Sequence, residues 1–142
     1  MTLVSRIHLV LLFVLVLPLA RAEKVVVKWP SLKKLDDLAE RCEALCERKE
    51  VAALRKIASS VKDAAKAVES EPVPKGAKSP DEVKVLQSDL KSLADSIGDS
   101  VKQDSEELTT ILAGIHPIVE KLMEASGMPH VHEKEEKEKK LK

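Results

Sequence analysis

Apolar residues spaced three and four apart constrain this chain more than any motif does. Leu32, Leu35, Leu38, Ala39, Cys42, Leu45 and Cys46 form one such series, and Leu54, Ile57, Ala58, Val61, Ala64, Ala65 and Val68 a second. A third runs through Val83, Leu86, Leu90, Leu93, Ile97 and Val101, and a fourth through Leu108, Ile111, Leu112, Ile115, Val119 and Leu122. That interval returns side chains to one face of an α-helix, so the spacing predicts an all-α chain of amphipathic helices. The one run rich in β-branched residues is Val25–Val27. Beyond residue 22, Trp29 is the single aromatic, so the core must be built from Leu, Val, Ile and Ala. Such side chains suit thin helix interfaces better than sheets.

Local signals divide the series. Residues 23–30 read as an extended lead ending in Trp29 and Pro30, with Ser31 offering an N-cap oxygen to the first helix. The apolar face of the second series is rotated by roughly 80° from the first, which predicts a turn in the charged stretch 47–50. Three prolines and a glycine make 70–80, SEPVPKGAKSP, a loop. Ser79 can then cap a helix with Pro80 at its first position and Asp81 and Glu82 in its first turn, where the helix dipole favours acids. Between the third and fourth series, Asp104 and Glu107 are spaced for a capping box, yet both series keep one phase, as a continuous helix would. Two arrangements therefore stand: an antiparallel up-down four-helix bundle spanning 31–126, and a hairpin of two long helices that pairs with a second copy as a homodimer.

The first 22 residues carry Arg6, an apolar run from Leu9 to Leu17, Pro18 and a small-x-small site at Ala20, Arg21 and Ala22. This is the pattern of a cleavable secretory signal, too short to cross a bilayer comfortably, and it implies a periplasmic or secreted protein. Cleavage would leave 120 residues from Glu23 with 22 basic and 24 acidic side chains. Such a balanced surface has no nucleic-acid footprint, and no stable membrane insertion is expected. Residues 127–142 divide into a Met/His cluster and a mixed-charge tail, EKEEKEKKLK, of disordered composition.

Chemistry concentrates near the C-terminus. Pro117 cannot donate to the carbonyl of Ala113 and its ring disfavours helical geometry at His116, so the fourth helix should kink or restart there beside Gly114. Counted at 100° per residue, His116 and Met123 fall on the flank of the apolar face, within reach of both solvent and interior. Met128, His130 and His132 then form a Met-x-His-x-His cluster beyond Gly127 and Pro129. Thioether plus imidazole suits copper, and the imidazoles alone also accept zinc or nickel. Cys42 and Cys46, four apart, lie on one helix face, where a disulfide would be strained. They read as small buried hydrophobes, as a bond to a second chain, or as a soft-metal or redox pair. No phosphate-binding glycine loop, His-Glu-x-x-His helix or nucleophile with a matched base is present in the sequence, so no enzyme is expected.

The stretches KSPD (78–81) and EELTTILAGIH (106–116) resemble, respectively, the long connection and the last helix of the periplasmic cytochrome b562 family. The likeness covers about 31–118. It implies four antiparallel helices and haem held between a methionine early in the first helix and a histidine in the fourth, a role open to His116. The sequence departs from that pattern, since Leu35 or Asp36 stands where the methionine is sought and the region after Ile97 is short.

Together these features point to an exported, non-catalytic helical bundle. The first functional expectation is binding of a transition metal, copper before zinc, by Met128, His130 and His132 with help from His116 and Met123. The alternative is a structural or protein-interaction bundle that acts on an extracytoplasmic partner without a ligand. A haem-binding electron carrier comes third.

Overall fold

The computed structural model describes residues 26–103 and 106–129. Among them every regular element is an α-helix: α1 (Pro30–Glu47), α2 (Val51–Ser70), α3 (Pro80–Lys102), α4 (Leu108–Ala113) and α5 (Ile115–Ser126). Only Gly114 separates α4 from α5, so these two form one broken rod and the described residues contribute four rods.

Each helix starts and stops where local chemistry directs. Helix α1 begins one residue before the expected Ser31 cap, with Pro30 at its first position and Trp29 accepting the first backbone bond from Lys33 at 3.0 Å. A proline there sacrifices no hydrogen bond, because the first amides of a helix lack intrahelical acceptors. The turn predicted in 47–50 is present. Lys49 adopts a left-handed φ of 57°, Glu50 N–H donates to Leu45 O at 2.9 Å, and Lys49 N–H donates to Cys46 O at 3.0 Å. That is a Schellman closure with lysine at the position glycine normally takes. Pro80 opens α3 with Asp81 and Glu82 in its first turn, as read from the sequence, but Ser79 makes no side-chain cap. Its amide donates to Ala125 O at 2.9 Å and ties the start of α3 to the last turn of α5.

The break at 48–50, with α2 packed against α1, makes these two separate helices, so the two-long-helix hairpin is not the arrangement of this chain. All four rods share one interior: Leu35 and Cys42 from α1, Leu54 from α2, Leu90 from α3 and Leu112 and Ile115 from the broken rod are all fully buried. This is helical-bundle packing. Alanines 39, 58, 65 and 94 are also fully buried, and their small side chains let the rods approach closely. Among the described residues, no helix is long and apolar enough to cross a membrane. The expected signal segment, Asp104 of the expected capping box and the charged tail lie outside the described residues.

Candidate functional site

One pole of the bundle gathers the start of α1, the end of α2, the start of α3 and the end of α5. Trp29, buried to 3% exposure, donates its indole N–H to Glu71 Oε2 at 2.7 Å, and Ser31 Oγ donates to the same oxygen at 2.7 Å. The carboxylate just past α2 thus clamps the lead segment to α1. Gln87 Nε2 donates to Val68 O and Glu71 O, each at 2.8 Å, which satisfies carbonyls that the end of α2 leaves without helical partners. Both clamps join residues far apart in sequence, and neither was foreseen. A bulky aromatic or an amide inside an apolar series is the only signal they leave.

The lead segment and the residues after α5 enclose an open groove of about 470 Å³. Val26, Val27, Trp29, Pro30, Met128 and Pro129 supply its apolar wall, and among the described residues Lys28 and Lys33 are the charged side chains that line it. Lys33 Nζ lies 2.9 Å from Asp37 Oδ1 and 3.1 Å from Asp36 Oδ2. Hydrogen bonding to Asp37, with Asp36 adding to it against a burial penalty, holds the Lys33 ammonium above its ordinary range. Asp36 itself is fully buried on the inner face of α1.

Met128 reaches this groove because α5 stops sharply. Gly127 takes φ 83°, its amide donates to Glu124 O at 3.1 Å, and Met128 N–H donates to Met123 O at 2.9 Å. This second Schellman closure fixes the backbone of Met128, whose side chain packs partly buried against the core. His130 and His132 follow directly and lie outside the described residues.

The remaining candidates do not converge on Met128. Met123 is not a flank residue: at 1% exposure its thioether is sealed in the core. Helix α5 packs against both α1 and α3, so its buried arc is wider than a single stripe and takes in Met123 as well as Val119 and Leu122. His116 is buried at 8% exposure, with Nδ1 3.1 Å from Glu43 Oε2 on α1 and Nε2 3.9 Å from Glu120 Oε1. It stands ten residues before Ser126, about 15 Å along the axis at ~1.5 Å per residue. The helix does restart beside Pro117, but the break falls at Gly114, whose amide bonds three residues back to Ile111 O at 3.1 Å. Pro117 then occupies the first turn of α5, where its missing amide is tolerated.

Cys42 and Cys46 are free thiols facing the interior side of α1. Burial, reinforced by Cys46, pushes the Cys42 thiol up to about 11, and burial followed by Glu43 raises Cys46 as well. Thiols that resist ionisation are poor nucleophiles and poor metal ligands, so the small-hydrophobe reading describes Cys42 best. Cys46 Sγ sits 3.9 Å from Thr109 O. Among the described residues, no three His, Cys, Asp or Glu side chains are arranged to hold a metal ion.

The haem implied by the family resemblance fits poorly. Contact between Glu43 and His116 sets the register of α1 against α5. Leu35 and Asp36 lie seven or eight residues earlier, roughly 10–12 Å along the axis from the level of His116. Two axial ligands of one iron must face each other across it, and these do not. The level of Leu35 and Asp36 is instead packed with Leu32 and Leu35 at 0% exposure. No family model, curated protein or solved structure matches the chain.

Proposed function

We propose that this protein is an exported, non-catalytic, up-down antiparallel four-helix bundle that binds a transition metal ion, copper before zinc, through Met128, His130 and His132. Contacts between opposite helix ends support the topology: Trp29 at the start of α1 with Glu71 past the end of α2, Gln87 near the start of α3 with Val68 near the end of α2, and Ser79 before α3 with Ala125 at the end of α5. Short turns between successive helices make such neighbours antiparallel.

The observation that carries the metal reading is the fixed position of Met128. Its backbone is locked by the Gly127 closure, and its thioether is held at an open groove immediately before the two histidines. Neither His116 nor Met123 belongs to this site, because one is about three helical turns away and the other is enclosed. A thioether with two imidazoles is a donor set that copper accepts in either oxidation state, and zinc accepts the imidazoles.

The test is elemental analysis of the purified protein. One equivalent of copper or zinc is expected, and its loss in a His130→Ala/His132→Ala variant of unchanged helicity. A wild-type protein that neither retains nor takes up metal sinks the reading and leaves a scaffold or protein-interaction bundle.

A further inference from the structure

We infer that the groove between the lead segment and the end of α5 binds a single-chain anionic amphiphile, a fatty carboxylate, whose hydrocarbon lies against Val27, Trp29 and Met128 and whose head group meets the Lys28 ammonium. The inference goes beyond the metal reading and does not rest on it: every residue it uses is a described one, and no ion takes part.

Scale limits what can occupy the groove. Its volume of about 470 Å³ falls in the lower half of the ~300–1,000 Å³ that small-molecule sites enclose, which suits one alkyl chain rather than two. A second copy or a partner protein would need roughly 20–30 residues on each side, whereas eight described residues line this groove.

The wall then selects hydrocarbon. Val27 and Trp29 are buried at 5% and 3% exposure, and Met128 packs partly buried against the same core. Apart from the lysines, the indole N–H is the one side-chain donor among the described lining residues, and it is already bound to Glu71 at 2.7 Å. A sugar, nucleotide or peptide needs several directed polar groups to orient it, and these side chains offer none. An alkyl chain needs only area, and each methylene taken from water strengthens binding about fourfold. The wall is also preformed. The Glu71 bond holds the ring and the Gly127 closure holds the backbone of Met128, so binding orders little.

Charge at the rim selects the head group. Lys33 sits 3.1 Å from Asp36 and 2.9 Å from Asp37, which offset its ammonium. Lys28 is exposed and forms no ion pair with a described residue. Lys78 lies over Gly127, one residue before Met128, where a Cβ would meet its Cγ at 3.3 Å, and it too forms no ion pair with a described residue. Lysines in such places run their methylenes along apolar surface and leave the ammonium at the water boundary. The groove is thus apolar within and positive at its edge, the complement of a hydrocarbon chain ending in a carboxylate.

The experiment is titration of the metal-free chain from Glu23 to Lys142 with tetradecanoate below its micelle concentration, in the presence of a chelator. Binding is followed by the emission of Trp29, the only tryptophan, and by native mass spectrometry. Dodecanoate, tetradecanol and vesicles of phosphatidylglycerol and phosphatidylcholine are titrated in parallel. One equivalent of tetradecanoate should bind and shift the emission. Dodecanoate should bind roughly tenfold more weakly for its two lost methylenes, and tetradecanol roughly tenfold more weakly for its lost charge. Lys28→Gln, at an exposed position that the fold does not depend on, should erase the preference for carboxylate over alcohol and leave alcohol binding unchanged. Met128→Gln should weaken carboxylate and alcohol alike, by roughly tenfold. Carboxylate and alcohol binding equally well, or Lys28→Gln behaving as wild type, overturns the inference. So does binding to vesicles without binding of monomeric carboxylate, which gives the groove to a membrane, and a doubled native mass with no ligand bound, which gives it to a second copy. None of these results touches the metal reading, which elemental analysis tests separately.

Discussion

Replacing Glu71 by alanine should cost far more stability than a half-exposed surface acid normally does. The carboxylate oxygen accepts from Trp29 Nε1 and Ser31 Oγ, each at 2.7 Å. With Trp29 only 3% exposed, water cannot readily replace the lost acceptor, and a buried donor left unsatisfied costs about 1–3 kcal/mol. Ser31 is half-buried and can turn to solvent, adding about 0.5 kcal/mol. The expected loss for Glu71→Ala is therefore ~2–3 kcal/mol, whereas Glu71→Gln retains an acceptor oxygen and should lose ~1 kcal/mol. Urea unfolding followed by far-ultraviolet circular dichroism measures both. The decisive comparison is a cycle with Trp29→Phe, which removes the indole donor. In that background Glu71→Ala should cost less than about 1 kcal/mol. An equal cost in both backgrounds would refute the clamp and place the contribution of Glu71 elsewhere.

Three further outcomes are expected. Gln87→Leu removes both amide bonds to the end of α2 and should destabilise by ~1–3 kcal/mol in the same urea assay, with hydrogen exchange accelerated near Val68 and Glu71. The two left-handed helix stops should respond in opposite directions: Lys49→Gly stabilises by about 1 kcal/mol by relieving a left-handed lysine, and Gly127→Ala destabilises by about 1 kcal/mol, its new Cβ also meeting Lys78 Cγ at 3.3 Å. Cys42 should make the fold sensitive to alkali. Because its thiol is raised from 9.0 to about 11 on folding, the unfolded chain loses that proton first; the contribution is intact below pH 9.0 and is lost as pH rises through about 11. The stability difference between wild type and Cys42→Ala, followed across that window, should shrink as pH rises, and a constant difference counts against burial as the cause.

What the sequence made legible follows from what periodicity encodes. The four helical series, the 47–50 turn, the proline-rich loop and the restart near Pro117 all rest on interactions within a few residues, which a linear reading captures. Long-range pairings were not legible: Trp29 finds Glu71 42 residues away, and nothing in either stretch names the other. Met123 was misplaced because an angular count assumes one packing partner, while α5 has two helices against it. Met128 was readable as a candidate, but its position beside Trp29 depends on the Gly127 turn and on the lead segment folding back along α1.

The shared groove of Val26–Pro30 with Met128 and Pro129 brings residues more than a hundred positions apart to one spot. A short linker from residue 129 back to 26 would therefore bridge a small gap, and new termini could be opened in the turn 48–50, between α1 and α2, without cutting a helix. Such a permuted chain would retain every clamp described between α1, α2 and α3.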